Sequence, residues 1–253
     1  MLSRKKQKKY LSKKEKDWMV QLRAYGQSGD QEAIHRLRLG VKKVKAFVQL
    51  MKECSGSGRK VSKDFELLKK MFRQAGKIRD ASNNLKLMEG LQLGSPSYRE
   101  EQDRLRDAAA VAFQQQIPVY RKKGRKAGRH LLADVQNIST SCIRDWYAAR
   151  LIKISVLLTA SGDLLHEARK KIKELLYVQG LLPKELVEEI GLDRGYLDEL
   201  QEALGQWHDM AVIATAHASR DGADGRGMFE ECKRKEDMVR DLAKDFYRRA
   251  HKM

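Results

Sequence analysis

The sequence has few of the residues that interrupt helices and little of the pattern that forms strands. Only 3 of its 253 residues are proline. Between the prolines, apolar residues recur three and four positions apart, as in Leu37, Val41, Val44 and Val48, which is the spacing of one helix face. No comparable stretch alternates polar and apolar residues as a strand does. These features predict an all-α protein.

Cysteine and long apolar runs are also scarce. Cys54, Cys142 and Cys232 lie far apart and include no CxxC pair, which argues against a zinc site and against a disulfide framework. No run approaches the roughly 18 uncharged apolar residues of a membrane-spanning helix. The first residues are basic but no apolar stretch follows them, so a secretory signal peptide is not expected. The sequence thus predicts a reduced, cytoplasmic protein.

Acidic residues are far outnumbered by basic ones. The chain has 52 Lys and Arg against 34 Asp and Glu, a formal net charge of +18, with a pI near 9.8 and a mean hydropathy of -0.63. Such a chain is expected to bind acidic partners, which include nucleic acid, phosphate polymers and anionic membrane surfaces. Composition alone does not choose among them.

A basic signature that begins with histidine occurs twice. Its members are His35, Arg38, Lys42 and Lys45 in the first copy, and His166, Arg169, Lys170 and Lys173 in the second. At about 100° per residue, the first three cations fall within roughly 80° of His35, beside the apolar face of the same helix. We call these rows the first and second basic stripes. A repeat that preserves cations, rather than only apolar spacing, predicts a surface that holds a polyanion.

The two copies keep their register over a longer distance. His166 follows His35 by 131 residues, and Asp209 follows Asp80 by 129. The second matching segments read AGKIRDASNNLKLM and LGQWHDMAVIATA. Two matches in one order indicate a duplication, and breaks near residues 55–60, 93–97, 161–163 and 221–227 divide each half into four helices. If the duplicated helices face one another, the stripes would line a shared groove or pore.

These residues carry a family resemblance. The H-x-x-R-x-x-x-K spacing, present twice and each time followed by a helix with a late Arg-Asp or His-Asp pair, resembles the CHAD domain, the conserved histidine α-helical domain, over nearly the whole chain. The resemblance implies two four-helix bundles related by a pseudo-twofold axis, with a central basic surface that binds inorganic polyphosphate. The contacts that it implies are His35, Arg38, Lys42, Lys43, Lys45, Arg79, His166, Arg169 and Lys173, to which helical geometry adds Lys170.

The second half departs from the family pattern. Glu174 and Leu176 occupy positions that are basic in the family, and His208 stands where the first half has Arg79. The second half is therefore expected to contact fewer phosphates. Asp80 and Asp209 are expected either to orient neighbouring cations or to form ordinary helix ion pairs and caps.

Two further basic runs lie outside the stripes. Residues 1–16 hold eight Lys or Arg against Glu15, and residues 121–130 hold six with no acid. We interpret residues 1–11 as a frayed, solvated tail and 121–130 as a linker, between a first half at 12–120 and a second half at 131–253. Both runs are expected to widen the zone in which a polyanion is captured.

Three other functions were weighed. A metal site at His35 or His166 is disfavoured because neither has a second ligand at suitable spacing and both lie among cations. Catalysis has little support, since the sequence has no GxxxxGK[ST], HExxH or ExExK motif; no catalytic residue, metal or cofactor is predicted. The charge also fits a non-specific nucleic-acid-binding protein, although aromatics make up only 7% of the chain. The predicted partner remains polyphosphate, with the protein in the cytoplasm or on polyphosphate granules.

Overall fold

A computed structural model describes residues 1–55, 58–90, 96–217 and 223–251, with side chains for all of these except 58–65, 67, 216–217 and 223–226. Over these residues the structure is helical, and its only β-type pairs are the isolated bridges Leu2–Ile138 and Leu192–His251. The all-α prediction is confirmed. The chain forms two compact units, Met1–Ser139 and Thr140–Met253.

In unit 1 the part of the chain that the structure describes forms a bundle of four helices: α1 (Arg4–Ser28), α2 (Gln31–Ser55), α3 (Gly58–Gly90) and α4 (Pro96–Ala133). Each helix packs against the next and α1 packs against α4, so the four close into a ring. The helical spacing noted in the sequence faces the core, where Leu37, Val41, Val44 and Val48 are buried. Asp30 caps α2 by accepting a hydrogen bond from the backbone N–H of Glu32 at 2.9 Å.

The described residues of unit 2 form four longer helices and two short ones. They are α5 (Thr140–Leu158), α6 (Asp163–Gln179), α7 (Lys184–Ile190), α8 (Arg194–His217), α9 (Ala223–Ala243) and α10 (Phe246–Arg249). Helix α6 packs against α5 and α8, and α8 packs against α9. Leu165, Ala168, Ile172 and Leu175 of α6 are buried, which fixes the direction in which the polar face of α6 points.

The two basic runs differ from their predicted roles. The supposed tail is largely the start of α1, where Leu2, Gln7 and Leu11 are buried, so residues 1–11 are folded rather than frayed. The supposed linker at 121–130 lies inside α4, and the units meet instead between Ser139 and Thr140. The high charge of these two runs led to the wrong prediction. Each run has only a few apolar residues among its many cations, so the buried face of its helix is hard to see in the sequence. The predicted pseudo-twofold relation stays a prediction.

The cysteines also differ from expectation. Cys54 and Cys142 are disulfide-bonded, and Cys232 is a free, half-buried thiol. The prediction of a fully reduced chain is therefore wrong.

In the described part of the chain, no helix is both long and apolar enough to cross a bilayer. The predicted helix breaks at 55–60, 93–97 and 221–227 lie partly outside the described residues, which omit 56–57, 91–95 and 218–222.

Candidate functional site

Arg38 is the best-defined cation of the first stripe. Its side chain crosses from α2 to α3, where Nη1 donates a hydrogen bond to the backbone carbonyl of Phe72 at 3.0 Å. The guanidinium lies over the Phe72 ring, 4.3 Å from the ring centroid, and Nη2 is 3.7 Å from Oδ1 of Asp80. Only 15% of the side chain is exposed. Arg38 is thus held in one orientation, unlike a surface arginine that samples many rotamers.

Gly76 makes this orientation possible. A methyl group at position 76 would collide with Nη1 of Arg38. Glycine therefore gives the guanidinium room to lie against the backbone of α3.

The other members of the first stripe surround Arg38 unequally. Lys42 is exposed, with Nζ 5.9 Å from the centroid of the same Phe72 ring. His35 is half-buried one turn before Arg38. Burial and the nearby Arg79, with smaller effects from Lys42 and Arg38, lower the pKa of His35. The structure therefore brings together four of the predicted residues, His35, Arg38, Lys42 and Arg79.

Lys45 and Lys43 are less closely tied to this group. Lys45 is exposed on α2, one turn beyond Lys42. Lys43 is half-buried and lies about 140° from Arg38 around the helix. Helical geometry thus extends the first stripe to Lys45 and leaves Lys43 towards its side.

Unit 2 repeats the arginine arrangement at equivalent positions. Nε of Arg169 on α6 donates to the backbone carbonyl of Gln201 on α8 at 3.1 Å. A methyl group at Gly205 would collide with the Arg169 guanidinium. The arginines are 131 residues apart, and both the glycines and the residues whose carbonyls accept from the arginines are 129 apart, which are the offsets of the sequence repeat.

The second histidine has a different neighbour from the first. The rings of His166 and His208 are stacked, with centroids 3.7 Å apart and planes 26° apart. Burial, then His208, Lys170 and Arg169, lower the pKa of His166 to about 4. Burial also lowers the pKa of His208. Both effects favour uncharged rings at neutral pH, so this end of the second stripe gains charge only if a ligand raises these pKa values.

The two lysines of the second stripe lie in different surroundings. Lys170 is exposed, and its Nζ is 3.4 Å from Glu167. Lys173 is half-buried, and burial together with Arg169 lowers its pKa, although Glu202 and Asp209 oppose this. The shorter second stripe therefore consists of one fixed arginine, two lysines and His166, whose ring stacks on that of His208. Leu176, at the position equivalent to Lys45, is buried.

Sequence reasoning missed the residues on the second helix of each pair that receive the arginine. These are Phe72 and Gly76 in unit 1 and Gln201 and Gly205 in unit 2. A signal was present, because each glycine stands four residues before the duplicated aspartate. Its role depends on a close approach between helices, which a glycine in a helical pattern does not reveal.

The arrangement is suited to holding anions. A guanidinium has five N–H donors. In each unit one of them donates to a backbone carbonyl of the neighbouring helix, which fixes the plane of the guanidinium, and other donors remain for phosphate oxygens. Among the described residues, no three His, Cys, Asp or Glu side chains cluster as metal ligands would. The charged groups that the structure brings together here are cations, which is the chemistry that suits phosphate or carboxylate groups.

The fold and these paired helices define a class of protein: an all-α chain with a duplicated histidine-led basic helix packed on a glycine-bearing neighbour. The chain belongs to the CHAD domain family, whose family model matches residues 10–218. Its structure is similar to the crystal structure of the CHAD domain from the plant Ricinus communis, with a TM-score of 0.65 and 16% sequence identity, over 98% of this chain and 88% of that one. A comparison with curated proteins found no match.

Proposed function

We propose that this protein binds inorganic polyphosphate through its two basic stripes and their partner helices. The supporting observation is the repeated placement of one arginine in each unit, Arg38 and Arg169, against a helix backbone that only glycine leaves open. Membership of the CHAD family agrees with this function.

The fixed arginines suit a ligand made only of phosphates. Each unit of polyphosphate carries about one negative charge and has no bases to recognise, so a row of cations is sufficient for binding. An arginine that is already ordered loses less side-chain entropy when it binds than a free one. The exposed Lys42, Lys45 and Lys170 add charge that follows a flexible chain.

The histidines supply hydrogen bonds rather than permanent charge. With their pKa values lowered, His35 and His166 are neutral near pH 7 and donate one ring N–H each. A bound polyanion favours the protonated form, so binding and proton uptake are coupled.

We further propose that the protein is a binding module and not an enzyme, and that it is carried to polyphosphate granules in the cytoplasm. The stripes provide cations and hydrogen-bond donors. Phosphoryl transfer also needs a positioned nucleophile and, as a rule, carboxylates that hold a metal ion. A binding role requires neither, and release of orthophosphate in the presence of magnesium would contradict it.

The test is a competition experiment at near-physiological salt, with labelled long-chain polyphosphate and excess unlabelled RNA. We expect polyphosphate to remain bound in the presence of RNA. The Arg38→Glu/Lys42→Glu variant should bind at least about tenfold more weakly, because two cations become two anions at the first stripe. Its helical content, measured by circular dichroism, should be unchanged.

A matched variant separates the site from total charge. Lys86 and Arg104 are exposed in unit 1 and lie outside the stripes, so Lys86→Glu/Arg104→Glu has the same net charge as the stripe variant. We expect it to bind polyphosphate nearly as the wild type does. Equal losses in the two variants, or full displacement by RNA, would show capture by overall charge and contradict the proposal.

A further inference from the structure

The basic runs that were interpreted as tail and linker form one folded surface on unit 1. Helices α1 and α4 pack antiparallel: the backbone N–H of Arg4 donates to Oδ1 of Asn137 at 2.8 Å, and the rings of Tyr25 and Phe113 lie 5.4 Å apart. The eight cations of residues 1–16 therefore run beside the six of residues 121–130. Because the four helices form a ring, the α1/α4 pair lies across the bundle from the α2/α3 pair that holds the first stripe.

The cations on this surface are available to a partner. We define the α1/α4 surface by seven residues that helical geometry places near the junction of the two helices: Lys5, Lys8, Lys16, Arg121, Lys122, Arg125 and Arg129. All are exposed except Arg121, which is half-buried. Within the described part of the chain, none of them forms a salt bridge or donates a hydrogen bond as Arg38 does.

The nearby acid does little to neutralise this charge. Glu15 is the one acidic residue in the two runs, and its carboxylate packs against α4, where a methyl group at Gly128 would lie 2.6 Å from it. Burial raises the pKa of Glu15, while Arg125 and Arg129 oppose this effect. The two runs together hold fourteen cations and this one carboxylate, so the side of unit 1 that carries them is strongly positive.

The shape indicates a ligand with two rows of phosphates. Lys5 to Lys16 span about 16 Å of α1, and Arg121 to Arg129 span about 12 Å of α4. Packed helices have axes about 8–10 Å apart, so their cations form two rows at a separation comparable to the grooves of a duplex, about 6 Å and 12 Å wide. One row of phosphates could lie in an open depression of about 400 Å³ along α4, which is lined by Pro118, Arg121, Lys122, Arg125 and Arg129.

The same surface is poorly suited to single strands and to base recognition. Binding of single strands relies on exposed aromatic rings on which bases stack. The aromatic side chains on α1 and α4, namely Tyr10, Trp18, Tyr25, Tyr98, Phe113 and Tyr120, are all buried or half-buried. A thread such as polyphosphate needs only one row of cations, whereas a duplex can contact both rows at once.

From these observations we propose that the α1/α4 surface of unit 1 is a second, separate binding site, which holds the phosphodiester backbone of a nucleic-acid duplex without reading its sequence. The site is independent of the proposed polyphosphate site, since it uses other helices and other side chains. Contacts of this kind position a protein on a duplex and carry no sequence information.

The test measures the affinity of the full chain for a mixed-sequence DNA duplex of about 20 base pairs as salt is varied. Two triple variants remove one row each: Lys5→Gln/Lys8→Gln/Lys16→Gln on α1 and Lys122→Gln/Arg125→Gln/Arg129→Gln on α4. We expect each to lower duplex affinity at least about tenfold at near-physiological salt and to reduce the slope of log K against log salt by about 2 to 3, since each lost phosphate contact changes it by about 0.9.

Two controls make the result specific. Lys86→Gln/Arg99→Gln/Arg104→Gln removes the same charge from exposed positions of unit 1, and its α4 members lie about 25 Å or more from Arg121 along the helix. Arg38→Gln/Lys42→Gln weakens the first stripe. We expect both controls to bind the duplex nearly as the wild type does, while only the second loses polyphosphate affinity.

The proposal is overturned if the charge-matched control loses as much duplex affinity as the two triple variants, or if the first-stripe variant abolishes duplex binding. It is also overturned if the wild type binds anionic phospholipid vesicles but no duplex, even at low salt. If polyphosphate binding fails while duplex binding depends on the two rows, the proposed function is wrong and this site stands.

Discussion

Two glycines decide where the central arginines lie. In each unit, the glycine leaves space beside a helix backbone, and the arginine of the neighbouring helix fills that space while it donates to a carbonyl one turn earlier. The arginine is thereby ordered before any ligand arrives, which reduces the entropy that binding costs. Glycine is otherwise unfavourable inside a helix by about 1 kcal/mol relative to alanine, so its presence at both positions agrees with a role in placing the guanidinium.

Substitution of these glycines should separate positioning from stability. Gly76→Ala and Gly205→Ala should displace the arginine and lower polyphosphate affinity about three- to tenfold, which is about 0.6–1.4 kcal/mol, because a displaced guanidinium must be ordered when the ligand binds. Alanine favours helix by about 1 kcal/mol relative to glycine, which offsets part of the lost hydrogen bond, so the melting temperature should change by only a few degrees. Titration by fluorescence anisotropy and thermal melting measure the two effects.

Gly40 provides the matched control for this experiment. It also lies inside α2, but a methyl group there would meet nothing within 4 Å. Gly40→Ala should therefore raise the melting temperature and leave polyphosphate affinity as it is. If Gly76→Ala behaves in the same way as Gly40→Ala, the position of Arg38 does not matter for binding.

His166 should make the protein sensitive to mild acid. Its pKa in the folded chain, about 4, lies below the ordinary value of 6.5. As the pH falls through 6.5, this histidine is protonated in the unfolded chain, whereas in the folded chain it stays neutral until about pH 4. The unfolded state therefore binds more protons between these pH values, and the stability present above pH 6.5 is progressively lost as the pH falls towards 4.

Replacement of His166 by glutamine tests this assignment. Melting temperatures of wild type and His166→Gln, compared between about pH 7 and about pH 5, should fall less in the variant, because one titrating ring is absent. Superimposable pH profiles would show that the stacked ring is no source of acid sensitivity.

The elements that carry the site could be predicted from the sequence, for a clear physical reason. Helices α2 and α6 combine strong apolar spacing with an adjacent row of cations, so one periodic pattern reported both the buried face and the exposed stripe. The residues that α2 and α6 contact on the neighbouring helices follow no such periodic pattern. The carbonyls of Phe72 and Gln201 and the stacking of His166 on His208 depend on contacts between helices, which spacing along one helix cannot show.

Helices α1 and α4 show the opposite outcome. Their charge suggested solvated segments, but Leu2 is buried and pairs with Ile138, and Gln7 is fully buried. Nε2 of Gln7 donates to the carbonyls of Leu2 and Gln136, which joins the start of α1 to the end of unit 1. A few buried contacts of this kind are sufficient to order a lysine-rich segment.

Gln7 should therefore contribute to stability far more than its neighbours. Gln7→Ala removes the side-chain donor to the carbonyl of Gln136 and one of the two donors to the carbonyl of Leu2. It should lower the free energy of unfolding by about 1–3 kcal/mol, whereas Lys8→Ala, at an exposed position, should change it by less than about 0.5 kcal/mol. Urea denaturation followed by circular dichroism measures both. Equal, small effects would mean that the segment is frayed after all.

At the scale of the whole molecule, a net charge of +18 is distributed over surfaces with different properties. Each stripe has a half-buried, oriented arginine next to a glycine-bearing helix, with at least one exposed lysine beside it. Most side chains of the α1/α4 surface are exposed, and none of its seven cations forms a salt bridge with another described residue. Net charge predicts attraction to any polyanion, while the oriented arginines predict a preference for one kind, and this difference is why composition could name a class of partners but not choose between its members.

The most direct test of this account compares Arg38→Gln and Arg169→Gln, alone and together, in titrations with labelled polyphosphate at near-physiological salt. Glutamine is shorter than arginine but has a similar helix propensity and a polar, uncharged end, so it removes the guanidinium without breaking the helix. The account predicts that each single variant binds more weakly and that the double variant loses at least about a hundredfold in affinity, which is about 2.7 kcal/mol, with helical content and duplex binding preserved. Polyphosphate affinity that is unchanged in the double variant would contradict the account.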